Sequence, residues 1–537
     1  MDHKVKAILF DTRSIQKYIF SGNKLRTNIG ASYIVDQVFE TVLIKAVLEQ
    51  SKLYSKHNFA TWKDETLDFG KAICEEGYDC CIAYIGGGKA LILFPIDENE
   101  EAQNQELRQI IATFSMLLLG AFPGLKTGAA IGTLDLSTPE TYRATDDALH
   151  SQLKAYQNTI FPQVSPFNTG LTQICSVSGE VADYKDITHV IDKSPNGAAR
   201  YYAKEVLSKA TYAEEANANL VTKFKDKINN HSFPMELNLL GQKKTENYIA
   251  IVHIDGNNMG SRFMQCKTLQ EQAELSRNVK AKTETAFGEL LEHIATTYPT
   301  FENELNPKTV KKNLLPIRPI ILGGDDVTFV CAAKFAISFT TQFISYMRQK
   351  SHGIDGIECC GGIAILSTNY PFFRGYTLAE QLCDAAKAKS RAKNDSWLDF
   401  AILHGEQAPT LDQIRQQEYT GARGGKGAMH FGPYSITDTA SEYHIKRLTD
   451  CIKAFKTKNY NDGTGLAENK IKELRDILQH GPHAWEQYQE QLHHVKQRLP
   501  HIPGWEVYEE HLWDDKQTKT PYVDAIEMMD FYPAEVK

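Results

Sequence analysis

Long apolar runs, a surplus of basic charge and paired-cysteine motifs are all missing from this chain of 537 residues. Each absence excludes a class of function. The most apolar stretch, Phe114 to Phe122, is too short to span a bilayer, so no membrane partner is expected. Lys plus Arg number 59 against 67 Asp plus Glu, a formal net charge of −8. Mild acidity argues against a broad non-specific nucleic-acid surface and leaves room only for a local basic groove. Ten cysteines are spread through the chain with no Cys-x-x-Cys, so local spacing assembles no four-ligand zinc set. The adjacent pairs Cys80-Cys81 and Cys359-Cys360 fall in strand-like runs, where neighbours point to opposite faces. They read as reduced packing residues of a cytoplasmic protein. The first six residues lead into a strand and do not read as a signal peptide. Gly421-Ala422-Arg423-Gly424-Gly425-Lys426-Gly427 is glycine-rich and basic but lacks the Gly-Lys-Ser/Thr of a P-loop; it reads as a flexible loop open to a role near substrate. What is present is ordinary globular composition, 42% hydrophobic and 23% charged, in a length suited to two to four domains.

One stretch organises the rest. Leu322-Gly323-Gly324-Asp325-Asp326-Val327 lies between two short β-prone runs and reads as a tight hairpin whose tip presents two carboxylates. Glycine permits the positive φ such a tip needs. Tyr248 to Ile254 is an almost unbroken apolar run, as a buried strand should be, and it ends at Asp255-Gly256. Alone, a Gly-Gly-Asp-Asp tip is more often a solvated turn than a catalytic site. Beside a strand-end Asp it supplies what two Mg²⁺ or Mn²⁺ ions need, a few carboxylates with substrate phosphates completing the shell.

The order of elements around this hairpin occurs twice. Residues 5–10 form a strand ending at Asp11. A long amphipathic helix from Ile29 to Glu49 follows, with Ile34, Val38, Val42 and Ala46 on its buried face. Then come a hairpin tipped by Gly86-Gly87-Gly88-Lys89, a helix over 101–119 and a strand from Lys126 to Leu134. The later copy runs from strand 248–254 through a helix over 267–295, the Gly323–Asp326 hairpin and a helix over 335–350 to a strand from Glu358 to Leu366. Asp11 to Gly88 spans 77 residues and Asp255 to Asp325 spans 70, consistent with an internal duplication. Gly88 and Lys89 stand where the second copy has Asp325 and Asp326, so the first copy is expected to be catalytically silent.

The pair Ile254-Asp255-Gly256-Asn257-Asn258-Met259-Gly260 and Leu322-Gly323-Gly324-Asp325-Asp326 resembles the catalytic palm of the CRISPR polymerases. These are the large subunits of type III CRISPR effector complexes and their stand-alone relatives, kin to the GGDEF nucleotide cyclases. The resemblance implies an α+β chain with two ferredoxin-like palms. The expected division is a degenerate first palm at 1–138, a mostly helical linker at 139–245, the active palm at 246–408 and a C-terminal loop and helical bundle at 409–537. It implies a nucleotidyltransferase that joins ATP into cyclic oligoadenylate or a related messenger for antiviral signalling. Two metals would be held by Asp255, Asp325 and Asp326, with Asp325 either a ligand or an aligner of the attacking hydroxyl. It places Gly256, Gly323 and Gly324 at the nucleotide, and Ser14, Ile15 and Gln16 near a base or ribose between the palms. Ser261 and Arg262 are candidate phosphate contacts.

The helix opening near Arg374, with capping-box spacing from Thr377 to Glu380, resembles a cyclase helix whose lysine meets the triphosphate; here that is Lys387. Guide or target RNA, CRISPR effector subunits and a second copy of the chain are the other partners implied. A non-catalytic, RNA-binding scaffold subunit is the rival reading, and a GGDEF-like cyclase acting across two chains is a third. Helices are expected over 139–158 and 196–230, the latter capped by Asn196. Ser178 stands where many relatives complete a zinc-binding Cys-x-x-Cys with Cys175, so no zinc is expected. No His-Asp dipeptide is present, so the family's nuclease activity is not expected either.

Overall fold

The computed structural model describes residues 3–51, 53–63, 67–159, 170, 172–187, 189–191, 200–240, 247–391, 393–405, 410–420, 428–457, 465–480, 482–514 and 519–533. Gly421–Gly427 and Asn196 lie outside the described residues.

The first palm opens on β1 (Lys4–Arg13), followed by α1 (Ile15–Phe20), α2 (Leu25–Val38), α3 (Glu49–Ser51) and α4 (Phe69–Cys74). Then come the hairpin β2 (Cys81–Gly86) and β3 (Lys89–Phe94), α5 (Glu100–Ala121), β4 (Lys126–Asp135) and α6 (Pro139–Thr159). A hairpin of β5 (Tyr184–Asp186) and β6 (Arg200–Tyr202), with α7 (Lys204–Thr211) and α8 (Ala213–Lys223), leads to the second palm. That palm comprises β7 (Tyr248–Gly256), α9 (Met259–Gln265), α10 (Leu269–Phe301), α11 (Pro307–Lys311), β8 (Ile317–Gly323), β9 (Asp326–Ala332), α12 (Ala336–Met347), β10 (Cys359–Ser367), α13 (Phe372–Ser390) and β11 (Trp397–Ile402). The remainder holds α14 (Leu411–Glu418), β12 (Tyr434–Ser435), α15 (Ile445–Thr457), α16 (Glu468–His480), α17 (Pro482–His494), α18 (Glu506–His511) and α19 (Tyr522–Met528).

The first sheet runs β2-β3-β1-β4 and the second β12-β11-β10-β7-β9-β8. The strands β8-β9-β7-β10 therefore repeat the first sheet's order. The likeness extends to irregularities. Each hairpin slips its register three residues before the glycine that ends its first strand, between Ile82 and Tyr84 and between Pro319 and Ile321. Each strand-end aspartate is followed, three residues on, by a left-handed residue that starts a short helix: Ser14 at φ 52 and Asn258 at φ 59. Two matching bulges and two matching left-handed turns are hard to obtain except by duplication of one palm.

The central strands β1 and β7 are buried almost throughout, as their apolar sequences require. In the second palm α10 and α12 cover one face. A Cβ built on Gly361 would lie 2.9 Å from Thr340 of α12. Helix α13 lies across the other face so closely that a Cβ on Gly362 would overlap the Ala379 carbonyl oxygen. The palms meet through aromatic rings. Phe20 of α1 stacks on Phe372 and Tyr376 of α13 at 5.5 and 4.1 Å between ring centroids. Lys280 of α10 bridges to Asp36 of α2 at 3.0 Å. The C-terminal helices are joined to this palm by the pairing of β12 with β11.

Three expectations are corrected. The helix after α1 begins at Leu25 and widens to π-helical turns over Phe39–Leu48. That widening advances the buried face by one residue, so Ala46 is exposed and Val47 is buried. The described part of the stretch read as helix over 196–230 opens instead with strand β6, because Arg200–Tyr202 pairs with Tyr184–Asp186. Helix α13 starts at Phe372, so Thr377 is internal and its hydroxyl donates to the Phe373 carbonyl rather than capping.

Candidate active site

The pleat decides which side chains share the carboxylate face. His253 pairs with Thr328 and Ile254 with Val327, which sets Asp255 beside Asp326 at the end of the same ladder. Alternation puts His253, Asp255, Asp326 and Thr328 toward α13, and Val327 and Phe329 toward α10 and α12. The Phe287 ring of α10 lies 6.1 Å from Phe329.

The hairpin tip is fixed from below. Gly324 takes φ 68, and its carbonyl accepts a hydrogen bond from Thr283 of α10 at 2.5 Å. Asp325 then folds back over the end of β7. A Cβ on Gly256 would lie 2.9 Å from Asp325 Cβ and 3.3 Å from its Oδ2. Glycine at 256 is thus the space in which Asp325 sits.

Three carboxylates so placed repel one another. Loss of solvent, followed by the charges of Asp255 and Asp325, pushes Asp326 up to about 7. Loss of solvent and the neighbouring Asp255 push Asp325 up to about 6. Lys387 is the compensating cation. Its Nζ donates to Asp255 Oδ2, and that bond outweighs the cost of burial and holds the ammonium above its ordinary range. Asp326 Oδ1 is buried with no hydrogen-bond partner among the described residues. The nearby ring nitrogen, His253 Nδ1, is 3.4 Å away. Burial pushes His253 down to about 4, so the imidazole is neutral at pH 7 and cannot discharge Asp326. Among the described residues no three ligand side chains already converge at metal spacing, and Asp255 is paired with Lys387. An orphaned carboxylate oxygen among three crowded acids nevertheless fits a divalent cation, which takes oxygen ligands.

The other candidates fall as follows. Gly323 ends β8 opposite Asp326. Ser261 is exposed on α9, while the Arg262 guanidinium donates to the Gly356 carbonyl at 2.9 Å. Ser14 is exposed at the head of α1, with Ile15 and Gln16 half-buried beside it; a Cβ on Gly88 would meet Ile15 Cδ1 at 2.3 Å. Ile15 therefore packs on the first palm's own hairpin tip. Four residues escaped the sequence reading: His253, Thr283, Tyr376 and Glu380. His253 was signalled by its position two before Asp255 on a strand. Glu380, one turn from Tyr376 and two from Lys387, lies on the same helical stripe. Burial, then Asp384 and Asp255, raise its carboxyl.

The first palm reproduces this frame with different charges. Gln157 Nε2 of α6 donates to Asp11 Oδ2 at 2.9 Å, as Lys387 of α13 does to Asp255. Asp11 faces Lys89 across the ladder, where Asp255 faces Asp326.

Residues 248–396 match the family model described as the second palm domain of Cas10/Cmr2. Over those residues the chain is similar to the Cas10/Cmr2 second palm. Solved structures extend the likeness of fold to the rest of the chain. Csm1 of T. onnurineus matches with a TM-score of 0.53 at 13% identity, covering 99% of this chain and 70% of that one. A Csm1–Csm4 cassette in complex with pppApA matches at 0.51 and 12%, covering 99% and 69%. The cassette in complex with cA3 matches at 0.50 and 11%, covering 99% and 70%. At such identities the likeness is one of fold. A search of curated proteins finds no match. Among the described residues, no helix is long and apolar enough to cross a membrane.

Proposed function

We propose that the second palm is a nucleotidyltransferase that converts ATP into cyclic oligoadenylate or a related cyclic nucleotide. The observation that carries this is the charge-crowded set Asp255, Asp325 and Asp326, held by a rigid tip on a Cas10/Cmr2-type palm with one orphaned oxygen. Asp255, Asp325 and Asp326 would hold two Mg²⁺ or Mn²⁺ ions, which supply activation of the attacking ribose hydroxyl and neutralisation of the departing pyrophosphate. Lys387 pairs with Asp255; with Asp255 engaged by an ion, its ammonium would be available to the triphosphate. His253, neutral and 3.4 Å from Asp326, lies beside that carboxylate without drawing off its charge. Gly323 and Gly324 let substrate approach the backbone, whereas the room at Gly256 is taken by Asp325, and Ser14, Ile15 and Gln16 offer contacts to a base or ribose. Relatives whose structures are described in complex with pppApA and cA3 share the fold, which supports this substrate class.

The test is mass spectrometry of products from purified protein with ATP and Mg²⁺ or Mn²⁺, beside the Asp325→Ala/Asp326→Ala variant. A cyclic or linear oligonucleotide is expected from the wild type alone. Equal turnover by a folded double variant would overturn the assignment.

A scaffold role is the second reading, favoured by the cassettes in which Csm1 is paired with Csm4. In that reading the chain is the large subunit of a type III CRISPR-like complex and meets guide or target RNA; co-purification of RNA and a partner subunit tests it. The two roles are compatible in one chain.

A further inference from the structure

Helix α13 has two flanks. Tyr376, Glu380 and Lys387 look toward the carboxylates. On the other flank Gln381 accepts a hydrogen bond from the Leu411 amide of α14 at 2.9 Å, and Lys389 reaches over a separate pocket of about 380 Å³. Its walls include Lys389, Arg415, Tyr419, His430, Phe431 and Lys519. The pocket is roomy enough for a small ligand.

Its charges are sorted in a particular way. Asp399 lies in the sheet row that contains Gly362 and His253, and it is fully buried. Its Oδ1 accepts from His430 Nε2 at 2.8 Å and its Oδ2 from Arg415 Nη2. His430 Nδ1 meets Asp524 at 2.9 Å. Asp524 also accepts from Tyr434 and from the Phe431 and Gly432 amides. Against the cost of burial, Asp524 and Asp399 push His430 up to about 10, so it is a cation at pH 7. The acids are thus turned into the core and fully bonded, and their cations form the pocket floor.

At the mouth, Lys519 Nζ donates to the Tyr443 hydroxyl and lies 4.6 Å from that ring's centroid. Lys389 Nζ lies 5.7 Å from the same centroid. Two ammonium groups share one ring, and neither meets a carboxylate within ion-pair distance among the described residues. The Glu442 carboxylate also reaches the Tyr443 hydroxyl, and Asp514 accepts from the Lys519 amide, so acids hold this ring and the chain beside it while both ammonium groups stay out of ion-pair reach. Arg415 adds a buried Nε with no hydrogen-bond partner among the described residues. Asp412 is the one acid among the described residues of the wall, and it is exposed.

We propose that this pocket binds the phosphate of a nucleotide, free or at the end of an RNA strand, on the flank of α13 opposite the carboxylate site. Arg415, Lys389 and Lys519 take the phosphate oxygens, and the volume accommodates about one nucleotide. The assignment does not depend on catalysis at the second palm.

The test uses full-length protein carrying Asp325→Asn/Asp326→Asn, in EDTA, so that metal-dependent binding at the palm is silent. Calorimetry with AMP is expected to give one site per chain, with adenosine at least about tenfold weaker. Lys389→Gln/Lys519→Gln, both at the pocket mouth, is expected to weaken AMP by about tenfold or more with melting temperature unchanged. Inorganic phosphate should compete. Displacement of AMP by a 5′-phosphorylated hexaribonucleotide would assign the site to a strand end, and its failure to displace would assign it to a free nucleotide. Absence of AMP binding, equal affinity for adenosine, or indifference to the lysine double variant would each overturn the proposal. Binding of an acidic peptide with no phosphate probe would likewise overturn it.

Discussion

Gly256→Ala isolates the geometry of the carboxylate set from its chemistry. The substitution adds one methyl group and removes no ligand. Gly256 is at the end of a strand with no positive φ to strain, so backbone conformation is not the issue. The new Cβ would stand 2.9 Å from Asp325 Cβ, where ordinary contact begins near 3.4 Å. Asp325 must therefore retreat by about half an ångström. It cannot swing freely, because the tip is anchored through the Thr283–Gly324 hydrogen bond. A misplacement of about 1 Å at a reacting centre costs about a hundredfold in rate. Half of that displacement predicts a fall in kcat of roughly tenfold, about 1.4 kcal/mol in the barrier. The assay is product formation from ATP with Mn²⁺, supported by Mn²⁺ affinity from electron paramagnetic resonance. Affinity should weaken together with kcat, with little change in melting temperature. Gly260→Ala on α9 is the control, since its Cβ would meet nothing within 4 Å. Wild-type kcat and Mn²⁺ affinity in a folded Gly256→Ala protein would refute the claim that Asp325 is positioned by the space at Gly256.

Three further outcomes are expected. Lys387→Gln copies the first palm's Gln157 and should lower kcat roughly a hundredfold, while making the melting temperature more dependent on added Mg²⁺ because three acids then lack their resident cation. His430 carries a folded pKa of about 10 against an ordinary 6.5. Its stabilisation is complete below pH 6.5 and is lost as pH rises toward 10, so denaturation midpoints should fall across that window. His430→Gln should flatten that dependence and cost on the order of 3–5 kcal/mol, because Asp399 and Asp524 stay buried. Phe20→Ala should cost about 3–5 kcal/mol by denaturant titration, since Phe20 is fully buried between the palms against Phe372 and Tyr376.

The features legible in the sequence were those with a period. Strand β7 is a continuous apolar run, the Gly-Gly-Asp-Asp tip carries its own turn chemistry, and the doubled order of elements pointed to an internal duplication, which the structure carries into the strand order of the two sheets. What stayed hidden depends on long-range packing. Nothing local says that Phe39–Leu48 winds with wider turns and exchanges Ala46 for Val47 in the core. Thr377 and Glu380 have capping spacing, yet α13 starts at Phe372. The Asp399–His430–Asp524 link joins residues 125 positions apart, and no pattern in the intervening sequence announces it. Lys387 was found through its resemblance to a cyclase lysine, but only the fold shows that it rests on Asp255.

The two palms also explain why changing charge alone would not restore the first. Gly88→Asp/Lys89→Asp writes the Asp-Asp pair into the earlier tip. Lys89 would accept the change, since it faces Asp11 across the ladder as Asp326 lies beside Asp255. Gly88 would not. It holds φ 76, a region L-residues rarely adopt, and its Cβ would overlap Ile15 Cδ1 at 2.3 Å. In the second palm the residue at that position, Asp325, leans into room left by Gly256; in the first palm Thr12 stands where Gly256 would be, 3.5 Å from the same built Cβ. The side chains that close the first tip would therefore keep ions out as much as the missing acids do. The double variant is expected to bind no more Mn²⁺ than the wild type and to melt at a lower temperature. Adding Thr12→Gly and Ile15→Ala should be required before a further ion binds. Extra Mn²⁺ bound by Gly88→Asp/Lys89→Asp alone would show that charge, and not packing, separates the two palms.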